Sequence, residues 1–194
     1  MSIVLVGSTS GSITLQEPAV AGTTVLTLPA VTGTVLTTTS PKAGNVIQVV
    51  QATTTTQITI NTNTYTDTNL TASITPTSAT SKVLVLIMQP YRSYNQTSTS
   101  PASCGIQLVR NSTAILIPIS DATGPYQFSF NSSGATSPSL RGVWNCSYID
   151  SPATTSSTTY KTQARRYDSN SATQFQEADV VNNTSVIILM EIAA

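Results

Sequence analysis

What most constrains this chain is a run of short β-patterned segments, nine or so, set apart by turn residues, with no window holding a helical period between caps. Val46–Ala52 and Gln57–Ile60 read as strands, the second on the alternation of Ile58 and Ile60. Leu70–Ile74 follows and stops at Pro76. Lys82–Gln89 is apolar after its first residue, the pattern of a strand buried on both faces. Pro90 and the β-branched content argue against a short helix there. Tyr91–Gln96 then opens a polar loop that runs to Ser103. Cys104–Arg110 and Ala114–Ile119 flank Asn111-Ser112-Thr113, a compact hairpin signal. Tyr126, Phe128 and Phe130 alternate and share one face. Gly142–Ile149, Thr158–Ala164 and Thr184–Ile192 complete the set, which argues for a sandwich or barrel. The last strand is almost wholly apolar from Val186 to Ile192. A wet edge would expose it to aggregation, so it belongs mid-sheet or in a subunit interface.

The first forty residues differ in kind. Pro18-Ala-Val-Ala-Gly-Thr23 recurs as Pro29-Ala-Val-Thr-Gly-Thr34, each followed by a short strand, Val25–Thr27 and Val35–Thr37. A related Ile13–Leu15 strand lies upstream. Strands this short cannot bury an apolar face alone, because stacked repeats need neighbours. Ile13, Leu15, Val25, Leu26, Leu28, Val35 and Leu36 are therefore the expected assembly and anchoring residues, meeting sister chains or a larger body. The alternative is a hairpin folded onto its own domain. The turn-rich Ser40–Gly44 marks the boundary, giving a repeat segment over 1–42 and a β domain over 43–194.

Composition excludes several functions. Charged residues make up 8% of the chain, the net charge is zero and there is no histidine; ordinary domains carry about 25% charge. Ser and Thr take up about a third of the chain instead. No basic surplus exists to grip nucleic acid, and the histidine-based triads and metal sites are unavailable. The apolar runs Val83–Met88 and Val186–Met190 fall far short of the roughly twenty residues of a membrane span, so no membrane insertion is expected. Cys104 and Cys146 fall in two expected strands, either as one bridge or as two free buried thiols, with free thiols favoured.

No catalytic, cofactor or metal site is legible. The eight acids are scattered, and the loop oxygens near Asp67 and Asp121 lack the ligand density of a calcium loop. Two clusters combine tyrosine faces, arginine forks and amides suited to sugar rings and hydroxyls. They are Tyr91, Arg92 and Tyr94, and Arg165, Arg166 and Tyr167. The competing account packs Tyr91 and Tyr167 at strand ends and pairs the arginines with Asp150 or Asp168.

The stretch Gly11-Ser-Ile-Thr-Leu-Gln-Glu-Pro-Ala-Val-Ala-Gly-Thr-Thr-Val-Leu-Thr-Leu-Pro29, with its echo through Thr37, resembles the N-terminal repeats of bacteriophage fibre proteins, common in phages of cyanobacteria and other aquatic bacteria. The later part, from Ser73-Ile-Thr-Pro76 through the last strand, is similar to the globular head that ends such fibres. The resemblance implies an all-β chain: a short N-terminal β-repeat stem, then a jelly-roll-like antiparallel β-sandwich. It also implies a homotrimer in the virion, tied to other virion proteins through residues 1–42, with a head displayed toward the host surface and its glycans. A capsid decoration or cement protein, a glycan-active enzyme and a cellular lectin or adhesin remain as alternatives.

Overall fold

A computed structural model describes residues 3–7, 9–16, 19, 20, 22, 23, 30, 41–95, 102–117, 128–130, 139–167, 169–181 and 183–194. The chain divides into two compact units, Met1–Leu36 and Thr37–Ala194. In the first, β1 (Ile3–Val6) pairs antiparallel with β2 (Ser12–Leu15), placing Leu5 opposite Ile13. The turn closes through Gly7 N–H to the Gly11 carbonyl at 2.9 Å. A Cβ on Gly7 would meet the Ser10 carbonyl oxygen at 2.5 Å, so only glycine fits that approach. The expected strand around Ile13 is present. Its partner, inside the apolar opening run, did not read as a strand. Val25–Thr27 and Val35–Thr37 lie outside the described residues.

The second unit is an antiparallel sandwich. Its strands are β3 (Val46–Thr54), β4 (Ile58–Ile60), β5 (Thr66–Ile74), β6 (Lys82–Asn95), β7 (Ala102–Arg110), β8 (Thr113–Leu116), β9 (Phe128–Phe130), β10 (Ser139–Asp150), β11 (Thr158–Arg166), β12 (Ser171–Phe175) and β13 (Ser185–Ile192). The long β6 organises the larger sheet. One edge carries β10 along nearly its whole length. The other carries β13 against Lys82–Met88 and β12 against Tyr91–Asn95. In turn β13 pairs with β3, and β12 with β4. The ladder breaks beside Pro90, which has no N–H to donate, and Gln176 leaves β12 with φ of 52°.

In the smaller sheet β5 pairs with β11, β11 with β7, and β7 with both β8 and β9 on its other edge. Counting β3/β4, β8/β9 and β12/β13 each as one interrupted pass, the described strands make eight passes, in the orders 6-3-8-1 in the larger sheet and 2-7-4-5 in the smaller. That connectivity is a jelly roll, two interlocked Greek keys.

Between the sheets lie Val83, Val85 and Ile87 of β6, Ile187 and Leu189 of β13, Leu70 and Ile74 of β5, and Ile106 and Leu108 of β7. β13 sits mid-sheet, as its composition demanded. Three expectations need correction. Tyr91–Asn95 is strand, not loop, because β10 and β12 supply hydrogen-bond partners on both edges. β12 had no place in the expected set. Finally, β6 is buried on one face only: Val83, Val85 and Ile87 are interior, while Leu84 and Leu86 are half-buried and Met88 is exposed. Cys104 and Cys146 are free, the first buried and the second half-buried. Of the Tyr126, Phe128 and Phe130 face, Phe128 and Phe130 fall in β9 and Tyr126 lies outside the described residues.

Candidate functional site

Arg165, Arg166 and Tyr167 converge with two residues from the loop before β5. The Arg165 guanidinium lies 4.9 Å from the Tyr65 ring centroid and 5.2 Å from that of Tyr167. Both distances are within cation–π range. Its Nε and the Tyr65 hydroxyl are buried and find no hydrogen-bond partner among the described residues. Burial pushes the Tyr65 hydroxyl above its ordinary value, against the pull of the Arg165 charge. Arg166 donates from Nε to Asn63 Oδ1 at 3.1 Å and from Nη1 to the Ser169 carbonyl at 2.5 Å. Among the described residues no carboxylate pairs with Arg165 or Arg166. A cleft of about 200 Å³ opens among Asn63, Arg165, Arg166 and Tyr167. Two guanidiniums and a tyrosine edge can receive a polar or anionic ring.

The other cluster does not converge. Tyr91 turns inward and lies across Gly142, where a Cβ would meet its hydroxyl at 2.6 Å. Arg92 points to the opposite face, 5.2 Å from the Tyr94 ring centroid. It donates to Glu177 Oε1 at 2.8 Å. Arg141 grips the same carboxylate with two hydrogen bonds, each 2.9 Å. Glu177 is held below the usual carboxylate range by the Arg141 hydrogen bonds, with Arg92 adding to them against the cost of burial. The clamp ties β6 and β10 to the loop leaving β12. Asp150, one expected arginine partner, is taken by Arg110 at 2.9 Å and by the Tyr160 hydroxyl at 2.7 Å. Asp168 lies outside the described residues. No local sequence signal joins Tyr65 or Asn63 to Arg165, or Glu177 to Arg92 and Arg141.

Burial raises the Cys104 thiol to about 12 and that of Cys146 to about 11, so neither is a ready nucleophile at neutral pH. Among the described residues no group of three His, Cys, Asp or Glu could hold a metal, and no helix is long and apolar enough to cross a membrane.

Among the described residues two apolar surfaces stand open. In the N-terminal hairpin, Leu5 and Ile13 on one face are 55% and 66% exposed, and Val4 and Val6 on the other 53% and 80%. Leu15 occupies the predicted strand, and Val25, Leu26, Leu28, Val35 and Leu36 lie outside the described residues. The second surface is the outer face of the larger sheet, where register sets side chains in rows. Asn145, Met88, Val186 and Thr53 form one row, and Ser147, Leu86, Ile188 and Gln51 the next. Ile149, Leu84, Met190 and Val49 form the third. A shallow cleft of about 340 Å³ runs among Leu86, Met88, Ser147 and Ile188.

No protein-family model matches the chain, and no curated protein matches it. Among solved structures it is similar to infectious bursal virus-derived T=1 particles, at 10% identity and a TM-score of 0.34, covering 98% of this chain and 44% of that one. It is likewise similar to the infectious bursal disease virus Gx strain, at 11% identity and a TM-score of 0.32, covering 98% and 45%. The chain spans less than half the length of either. The jelly-roll assignment rests on strand order alone.

Proposed function

We propose that this chain is a structural protein of a bacteriophage particle, a trimeric appendage attached through residues 1–42 that displays the jelly-roll head for contact with the host surface. The observation that carries this reading is the N-terminal hairpin. Described apolar side chains stand open on both of its faces, and an isolated two-stranded ribbon is marginal in water. Sister chains or a particle surface would complete it. The fibre-like repeat from Gly11 to Pro29 supports the same reading. So does a head surface with few charges, whose behaviour varies little with ionic strength.

The host-facing contact is the Arg165, Arg166 and Tyr167 cluster with Tyr65 and Asn63. The native mass of the full chain tests the assembly: a multiple of three supports the trimer, and a single-chain mass overturns it. Binding of the full chain to host cells or arrayed glycans tests the contact. Arg165→Ala is expected to reduce binding at least tenfold while keeping the β-sheet signal in circular dichroism. No binding by the unaltered chain to any host surface would favour a cement protein of the shell instead.

A further inference from the structure

We propose that the outer face of the larger sheet is a self-complementary surface that pairs two copies of this chain about a two-fold axis running along the strands. The inference does not depend on the trimeric stem, because it rests on the head's strand register.

Each of the three rows crosses β10, β6, β13 and β3 in that order. A two-fold axis parallel to the strands and set between β6 and β13 carries β6 onto a facing β13, and β10 onto a facing β3, at the same height. Met88 then meets Val186 of a second copy, Leu86 meets Ile188, and Leu84 meets Met190. At the flanks Asn145 faces Thr53, Ser147 faces Gln51, and Ile149 faces Val49. Apolar side chains thus oppose apolar ones along the centre. On the rims, amides oppose hydroxyls in two rows and aliphatic side chains meet in the third. A surface that matches itself residue for residue is what an isologous contact needs, since residue i touches j while j touches i. Aligned packing of two sheets is a standard arrangement, about 10 Å apart and within about 30° of parallel.

Charge points to the same occupant. Four strands about 4.8 Å apart and the five β6 residues Leu84–Met88, about 17 Å, give the three rows a plan area of about 300 Å². A standard interface takes about 800 Å² of accessible surface per partner, so this pairing falls at the small end. Met88 is 45% exposed, Val49 56% and Ile149 59%. The three rows hold no charged side chain, so a charged partner would find nothing to pair with, whereas a second copy buries no unpaired charge.

The test is the native mass of the full chain and of a Met88→Lys/Ile149→Lys variant at micromolar concentration. Both positions are exposed, so the fold should survive, and circular dichroism checks that it does. A wild-type mass of two or six copies is expected, and the variant should halve it. Thr71→Lys, an exposed change on the other sheet, should leave the mass unaltered. Three copies would overturn the two-fold pairing while leaving the trimeric stem standing, and two copies would do the reverse. One copy, or a variant that keeps the wild-type mass, overturns the pairing. Should the double variant lose its β-sheet signal, Ile149→Lys alone reads the same halving.

Discussion

The two halves of β6 solve the same packing problem with opposite chemistry. From Val83 to Ile87 the inward side chains are aliphatic and meet Ile187 and Leu189. From Gln89 to Asn95 the inward positions include Gln89, Ser93 and Asn95, all buried. Gln89 donates to Thr68 Oγ at 2.8 Å, Thr68 bonds the hydroxyl and carbonyl of Thr162, and Thr173 donates to Ser93 at 3.2 Å. Ser171 donates to the Ser103 carbonyl at 3.2 Å. The aliphatic half gains from water released at every residue. The hydroxyl half gains little net energy and depends on pairing most of its groups, since an unmet buried polar atom costs about 1–3 kcal/mol. One strand can therefore be driven by hydrophobicity at one end and specified by hydrogen bonds at the other.

The comparison can be broken most forcefully at the aliphatic end. Deleting Ser185–Ala194 removes β13 from between β3 and β6 and should abolish soluble folded protein, measured by soluble yield and circular dichroism. Next, Ile187→Ala should cost about 2–5 kcal/mol in denaturant unfolding, and Thr173→Ala at the hydroxyl end, which leaves the buried Ser93 hydroxyl without its donor, about 1–3 kcal/mol. Equal losses at the two sites would erase the distinction.

Each half also has its own carboxylate. Glu191, fully buried beside the aliphatic end, accepts from Gln48 at 2.6 Å, from Thr77 N–H at 2.7 Å and from the Thr77 hydroxyl at 2.8 Å. Burial works to raise its carboxyl, and these donors outweigh it, leaving the group below the usual range. Glu177 is depressed as well. A depressed carboxyl contributes stability that is full above the unfolded value, about 4.3 for Glu, and is lost as pH falls through the lower folded value. Stability should therefore be flat from about pH 5 to about pH 8 and fall below about pH 4, with a second fall on the alkaline side as the unfolded thiols ionise and the buried Cys104 and Cys146 do not. Glu191→Gln should flatten that fall and cost about 1–3 kcal/mol at neutral pH, because an amide N–H then faces donors.

The smallest effect belongs to Gln89→Leu. The Gln89 Oε1 is buried and meets no partner among the described residues, so an aliphatic side chain of similar size should change stability by less than about 1 kcal/mol. A larger loss would show that the hydroxyl half is held by Gln89 itself.

The aliphatic end of β6 and the whole of β13 were legible in the sequence, because burial there is written as apolar residue type. The hydroxyl end was not. Tyr91–Asn95 and Ser171–Phe175 carry the serines, threonines and amides of loops, and they are strands because they pair with each other. The candidate contact was half legible. Arg165, Arg166 and Tyr167 adjoin in sequence and announced themselves. Asn63, 103 residues from Arg166, and Tyr65 reach them only because β5 pairs with β11. The Tyr91 group misled for the opposite reason: strand pleating sends Tyr91 and Arg92 to opposite faces.

By itself the sequence determined the β class, the hairpin turn at Asn111 and the interior place of β13. All of these follow from local residue type and a period of two. The tertiary structure alone decided that the passes order as a jelly roll, that buried hydroxyls and amides gather at one end of β6, and that three rows of side chains on one sheet mirror each other across β6 and β13. Those are properties of which strand lies beside which, set by pairings between residues far apart in the chain, and no local pattern of residue types encodes them.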